Sequence, residues 1–205
     1  MKMITNSETK ITFILPTIAR VSLYCAVDSL LKQSNPNWKC VIIFDGMDVI
    51  DGLAHEDNPP ITLITDERFT LVSTPKTGAF HKFGGNASSV RNVGLDYVTT
   101  EWIGFLDDDD TLHPDYVQTL YEKYQNYDVV VWRMKYRNGS VLPPHDLNEI
   151  IGGKVGISYC YKNQPDMRFI DTNGSEDYHF LKKLVENKNN YVITDEVFYN
   201  VEHYF

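Results

Sequence analysis

The chain has 205 residues, 42% hydrophobic and 23% charged, with a formal net charge of -9. This composition suits one soluble domain with a sizeable core. The acidic balance argues against a nucleic-acid binder, and no long uncharged apolar run marks a membrane span. Polar Thr5-Asn6-Ser7-Glu8 stands where a signal peptide needs an apolar centre, so a cytoplasmic location is expected. Cys25, Cys40 and Cys160 are far apart and odd in number. They read as small buried hydrophobes in a reducing compartment.

In chain order, the apolar run Ile11 to Pro16 predicts a first strand. Arg20 to Gln33 predicts a helix, with Val21, Tyr24, Cys25 and Leu31 on its apolar face. Ser34-Asn35-Pro36-Asn37 breaks it. Trp38 to Phe44 predicts a second strand with Asp45-Gly46 at its end. Ile61 to Ile64 and Phe69 to Val72 are further strand candidates. Thr77 to Gly85 reads as a loop; nearby Lys76, His81 and Lys82 could contact phosphate, but read rather as solvated. Asn86 to Val98 predicts a helix with Ala87, Val90, Gly94 and Tyr97 on one face. Trp102 to Leu106 predicts a strand. His113-Pro114 opens a helix with Val117, Leu120, Tyr121 and Tyr124 as its buried stripe. Val129 to Trp132, Val155 to Tyr161, Tyr191 to Thr194 and Val197 to Tyr199 predict strands. Ser175 to Glu186 predicts a helix, with Ser175 as N-cap and Tyr178, Leu181 and Val185 facing inward. Strand and helix alternate over the first 130 residues, which predicts an α/β fold with a largely parallel sheet flanked by helices. A single domain over 1–205 is the simplest organisation.

The strand at Trp102 delivers four consecutive carboxylates, Asp107, Asp108, Asp109 and Asp110. Adjacent anions repel, and a hard divalent cation with oxygen ligands is a natural neutraliser. In open α/β sheets ligands bind beyond the carboxyl ends of the strands, which is where Asp45 and Asp107 to Asp110 are expected. Turn chemistry is the competing explanation for both, because Asp favours turns. Glu176 and Asp177, in the first turn of a predicted helix, could likewise serve the helix dipole alone.

Taken together, Phe13-Ile14-Leu15-Pro16-Thr17, Asp45-Gly46, Ser89-Val90-Arg91-Asn92-Val93-Gly94-Leu95, Phe105-Leu106-Asp107-Asp108-Asp109-Asp110 and Glu176-Asp177-Tyr178 resemble, in this order, the family-2 glycosyltransferases of the GT-A fold. The resemblance implies a GT-A type, Rossmann-like, mostly parallel mixed sheet. It divides the domain into a nucleotide-sugar half at about 11–110 and an acceptor half at about 111–205. It further implies that Pro16, Thr17 and Arg20 line the nucleotide pocket and that Asp45 accepts a hydrogen bond from the base. Asn86 and Arg91 would lie near the nucleotide or diphosphate, and Asp107 and Asp108 near the ribose and the metal's water shell. Asp109 would bind Mn²⁺ or Mg²⁺. His203 resembles a C-terminal His that contacts metal or diphosphate, though a lone terminal His is often a surface residue. Asp177 would be the general base.

The expected activity is therefore a metal-dependent, inverting transfer of a sugar from a nucleotide-diphosphate sugar, UDP-linked by preference, to a hydroxyl acceptor on a glycan or similar molecule. Nucleic acid is not an expected partner. The chemistry agrees: a Lewis acid stabilises a diphosphate leaving group, and a carboxylate can take the acceptor's proton. Two alternatives stand beside it. A nucleotidyltransferase would use similar carboxylates, but wants a Gly-rich basic loop that Leu15 to Arg20 does not supply. A non-catalytic metal- or sugar-binding module would need no base at Asp177.

Overall fold

A computed structural model describes residues 8–49, 64–77, 79–81, 84–172, 174–187 and 190–202. The strands are β1 (Ile11–Thr17), β2 (Trp38–Asp45), β3 (Phe69–Thr74), β4 (Ala79–His81), β5 (Gly84–Asn86), β6 (Trp102–Phe105), β7 (Asp110–Leu112), β8 (Val129–Tyr136), β9 (Val141–Leu142), β10 (Tyr159–Lys162) and β11 (Tyr191–Val201). The helices are α1 (Leu23–Leu31), α2 (Ser88–Leu95), α3 (Tyr116–Lys123) and α4 (Glu176–Glu186). The main sheet runs β3-β2-β1-β6-β10-β8-β11-β7, with β9 on β8. Strands β3, β2, β1 and β6 are parallel, as expected from the alternation of strand and helix. Beyond β6 the sheet is mixed: β10 is antiparallel to both its neighbours, and β7 is antiparallel to β11.

The parallel half has near-continuous burial, from Ile11 to Leu15 and from Cys40 to Phe44, as strands covered on both faces require. Its close packing depends on two glycines. A Cβ on Gly94 of α2 would lie 2.7 Å from Ile14 and 2.8 Å from Ile43, so α2 rests directly on β1 and β2. A Cβ on Gly104 would lie 2.9 Å from the Phe13 ring. In the mixed half an aromatic cluster forms around Phe105, which meets Tyr159, Phe169 and Phe180 edge-on, while Phe169 stacks on Phe180 at 4.0 Å.

Several elements depart from expectation. Helix α1 buries Leu23, Ala26, Val27 and Leu30, whereas Val21 and Tyr24 are 57% and 40% exposed and Cys25 is exposed. Two apolar stripes compete on this segment, and the turn at Arg20 to Ser22 starts the helix late and presents the Leu23 stripe inward. Tyr97 is also exposed, because α2 ends at Leu95 and the chain turns before reaching it. Helix α3 starts at Tyr116, two residues after Pro114, and buries Tyr116 and Thr119 beside Val117 and Leu120. Segment 77–85 is not wholly a loop, since β4 and β5 pair antiparallel there. The two predicted C-terminal strands are one, β11, with irregular register against β8 between Ile193 and Tyr199. The predicted strand at Ile61 lies outside the described residues.

Candidate active site

The carboxyl ends of β1, β2 and β6 bring Thr17, Asp45 and the Asp107 loop to one edge of the sheet. The four aspartates then separate by role. The Asp110 N–H donates to the Asp107 carbonyl at 3.2 Å and so closes a tight turn. Buried Asp108 accepts from the Thr17 hydroxyl at 2.7 Å and from the Ile18 N–H at 3.3 Å, and its other oxygen lies 3.3 Å from the Arg20 guanidinium. Burial pushes its carboxyl up to about 6, against the pull of Arg20. Asp109 is partly exposed and pairs with Arg20 at 2.7 Å. Asp110 turns inward and accepts from the Glu202 N–H at 3.0 Å, anchoring β7 to the end of β11. Mutual repulsion is relieved by these different partners, with Arg20 as the shared cation.

Asp45 is buried at the end of β2 and is held by Lys76 Nζ at 2.7 Å and by the Thr77 N–H at 2.7 Å. Lys76 is therefore not merely solvated as expected; its stem packs over Gly46, where a Cβ would meet it at 2.8 Å. Gly46 has a φ of +83°, a conformation glycine adopts at little cost, which lets the chain turn sharply after Asp45.

Arg91 projects from α2 into the middle of the site and is buried. One guanidinium nitrogen donates to Asp107 at 2.7 Å; the other donates to Asp177 at 3.0 Å and lies 3.4 Å from Glu176. Burial opposes its charge, but the three carboxylates outweigh that and hold it firmly protonated. The neighbouring Asn92 exchanges two hydrogen bonds of 2.9 Å with the backbone of Phe169, whose ring lies 5.5 Å from the Arg91 guanidinium. The residues of the Arg-Asn-x-Gly motif thus divide the work: Arg91 collects carboxylates, Asn92 fixes the ring that covers it, and Gly94 lets the helix approach the sheet.

Asp177 lies in the first turn of α4, where the helix dipole favours an ionised carboxylate, but burial opposes it. Burial raises the carboxyl to about 7; Arg91 lowers it, while Asp107 and Glu176 raise it further. The helix has no side-chain cap: Ser175 occupies the N-cap position without the expected hydroxyl bond, with a φ of 152°. Its N–H donates instead to Glu176 at 3.2 Å.

Pro16 lies in β1 beside Ile43 of β2. Asn86 ends β5 by its backbone, and its side chain, like His203, lies outside the described residues. Among the described residues no group of three or more His, Cys, Asp or Glu side chains is arranged to hold a metal. Sequence reasoning missed Phe169, Tyr199 and Thr77. The Tyr199 hydroxyl accepts from the Asp107 N–H at 3.2 Å. No local pattern marks that residue as part of the site, because it arrives on the last described strand.

The family model for glycosyl transferase family 2 matches residues 12–195. The architecture is a GT-A fold: the structure superposes on S. aureus TarS 1-349 in complex with UDP-GlcNAc with a TM-score of 0.71 and 18% identity, over 96% of this chain and 59% of that one. A mannosyltransferase from Pyrobaculum calidifontis, in complex with GDP-Man and Mn²⁺, gives a TM-score of 0.60 at 14% identity, over 94% of this chain and 57% of that one. The chain belongs to glycosyl transferase family 2. By sequence it is 29% identical to the glycosyltransferase GlyA of Streptococcus pneumoniae serotype 4 (strain ATCC BAA-334 / TIGR4) over 122 residues, 58% of this chain and 16% of that protein. It is 27% identical over 125 residues to the poly(ribitol-phosphate) beta-N-acetylglucosaminyltransferase TarP of Staphylococcus aureus (strain N315), covering 60% of this chain and 36% of that protein. The chain thus spans less than two thirds of each of these relatives. None of the described helices is long and apolar enough to cross a membrane.

Proposed function

We propose that this chain transfers a sugar from a nucleotide-diphosphate sugar, UDP-linked by preference, to an acceptor hydroxyl on a glycan or similar molecule, with inversion at the anomeric carbon. The observation that carries this reading is the convergence of Asp45, Asp107 to Asp109 and Asp177 on one sheet edge, with Arg91 bridging Asp107 and Asp177 at 2.7 and 3.0 Å. The UDP-GlcNAc complex of TarS favours the donor class. In this reading the half at about 11–110 binds the donor and the half at about 111–205 receives the acceptor. Free Cys40 and Cys160 fit a cytoplasmic setting.

Asp45, at the end of β2, accepts from the base, sharing its oxygens with Lys76 and Thr77. Thr17 orients Asp108 toward the donor's ribose. Asp177 takes the proton of the acceptor hydroxyl as its oxygen bonds to the anomeric carbon and the bond from that carbon to the phosphate oxygen breaks. One base and one displacement give inversion; a retaining route through a glycosyl-enzyme would need a separate nucleophile.

A divalent ion fits the donor set in a limited way. Asp109 is a partly exposed, hard oxygen ligand, and Mg²⁺-type sites commonly combine one or two carboxylates with substrate phosphates and water. Asp109 would hold the ion, with His203 as a proposed second ligand. The ion would supply Lewis-acid stabilisation of the leaving diphosphate.

Calorimetry with UDP-GlcNAc, GDP-Man and the free nucleotides, with Mn²⁺ and with chelator, tests the reading. Metal-enhanced binding of one nucleotide class is expected. Binding of none of them refutes it.

A further inference from the structure

By the resemblance alone, Arg91 of α2 belongs near the nucleotide or the diphosphate. The geometry points to another role: we propose that Arg91 is a positioning residue that ties the base Asp177 to the donor-side Asp107, and is not a phosphate ligand. The inference rests on Asp177 being the base of the proposed transfer.

Both terminal nitrogens of Arg91 are already committed to carboxylates on two different elements, Asp107 after β6 and Asp177 with Glu176 on α4. Its side chain is 4% exposed, and the Phe169 ring lies 5.5 Å from the guanidinium. Its Nε is buried without a hydrogen-bond partner. A guanidinium that met the diphosphate would have to leave these partners, stranding buried Glu176 and the partly exposed Asp107 and Asp177. The planar fork suits the role, because it can hold two carboxylates at a fixed separation, which the point-like ammonium of lysine cannot.

The arrangement also sets how the base titrates. Asp177 is faced by Arg91 from α2, Asp107 from the loop after β6, Glu176 from its own helix, Tyr159 from β10 and Tyr136 from β8. The Tyr159 hydroxyl donates to the Asp177 backbone carbonyl at 3.4 Å. Among the described residues Arg91 is the cation that faces Asp177, and it is shared by three acids. Weakening its hold on Asp177 favours the protonated carboxyl, and neutralising Glu176 favours the carboxylate.

The test uses Arg91→Lys and Glu176→Gln in the full chain. Three quantities are measured: the pH profile of UDP-GlcNAc hydrolysis with Mn²⁺, the Kd of UDP, and the ligand-free unfolding midpoint against pH. In Arg91→Lys the acid limb should move up by at most roughly one pH unit, because the charge is kept but the ammonium cannot hold both carboxylates as the fork does. The UDP Kd should stay within about twofold, well below the loss a missing charged contact gives. In Glu176→Gln the limb should move down. The ligand-free midpoint profiles should shift in the same two directions. A UDP Kd raised tenfold or more, with the limb unmoved, would make Arg91 a phosphate ligand and overturn the proposal. Midpoint profiles that coincide with the parent's would overturn it as well. If no hydrolysis occurs but the midpoint profiles shift in opposite directions, the link stands and the transferase reading fails.

Discussion

Asp177→Asn is the substitution that most sharply separates chemistry from structure. Partial burial raises the carboxyl from 3.8 to about 7, with Asp107 and Glu176 adding to the rise and Arg91 limiting it. A base must be ionised, so turnover in the parent should climb through about pH 7 and level off above it. Asparagine keeps the shape but cannot take the proton, so turnover should fall by about 10²–10⁴-fold at pH 8. Stability should respond in the opposite sense. With its folded value raised, Asp177 binds more protons folded than unfolded between pH 3.8 and about 7, so its contribution is present at low pH and is lost as pH rises. The full loss is at most about 4 kcal/mol. Access of solvent to 26% of the side chain makes it smaller. The variant's unfolding midpoint should therefore decline less from pH 5 to pH 8 than the parent's. Donor-hydrolysis rates and thermal melts on the same samples provide the assay. Full activity in the variant would refute the base assignment, and parallel midpoint profiles would refute the burial argument.

Four further variants have expected outcomes. Asp45→Ala should weaken UDP binding and blur discrimination between UDP and GDP in calorimetry. It also leaves the Thr77 N–H without its 2.7 Å acceptor, so a stability loss of about 1–3 kcal/mol should appear in denaturant titration. Asp109→Ala should abolish most of the Mn²⁺ enhancement of UDP affinity. Asp110→Ala should leave that enhancement largely intact while lowering the melting temperature, because Asp110 holds the end of β11. Gly94→Ala should cost about 1–3 kcal/mol by overpacking, since the new methyl would meet Ile14 and Ile43 within 2.8 Å; equal stability in urea unfolding would show that α2 can move away.

The parallel half of the fold was legible because its signals are local. Strands such as Ile11–Thr17 and Trp38–Asp45 are continuous apolar runs, and their acids and glycine mark the ends. The mixed half was harder. Strand β11 includes Thr194, Asp195 and Glu196 in mid-run and pairs irregularly with β8, so its polarity reads as a break. Helix faces were misread wherever two apolar stripes competed, as with Val21 and Tyr24 against Leu23 and Ala26. Residue types and strand ends put Asp45 and Asp107 to Asp109 on one sheet edge, where the structure has them. What could not be read was partnership across distant segments. The Arg91 link spans 16 residues to Asp107 and 86 to Asp177, and only the packed fold brings these together. The same holds for Lys76 on Asp45 and Tyr199 on Asp107. At Asp177 burial outweighs a helix-dipole effect of about 0.3–1 kcal/mol.

The central claim is that this sheet edge moves a sugar off a nucleotide diphosphate by a single displacement. The most direct measurement is proton NMR of UDP-GlcNAc incubated with the parent chain and Mn²⁺, following UDP release and the anomer of the sugar first formed. The account predicts UDP release with inverted configuration at the anomeric carbon, strongly reduced in Asp177→Asn. Retained configuration, or no turnover of UDP-GlcNAc or any other nucleotide sugar offered with Mn²⁺ or Mg²⁺, would contradict it.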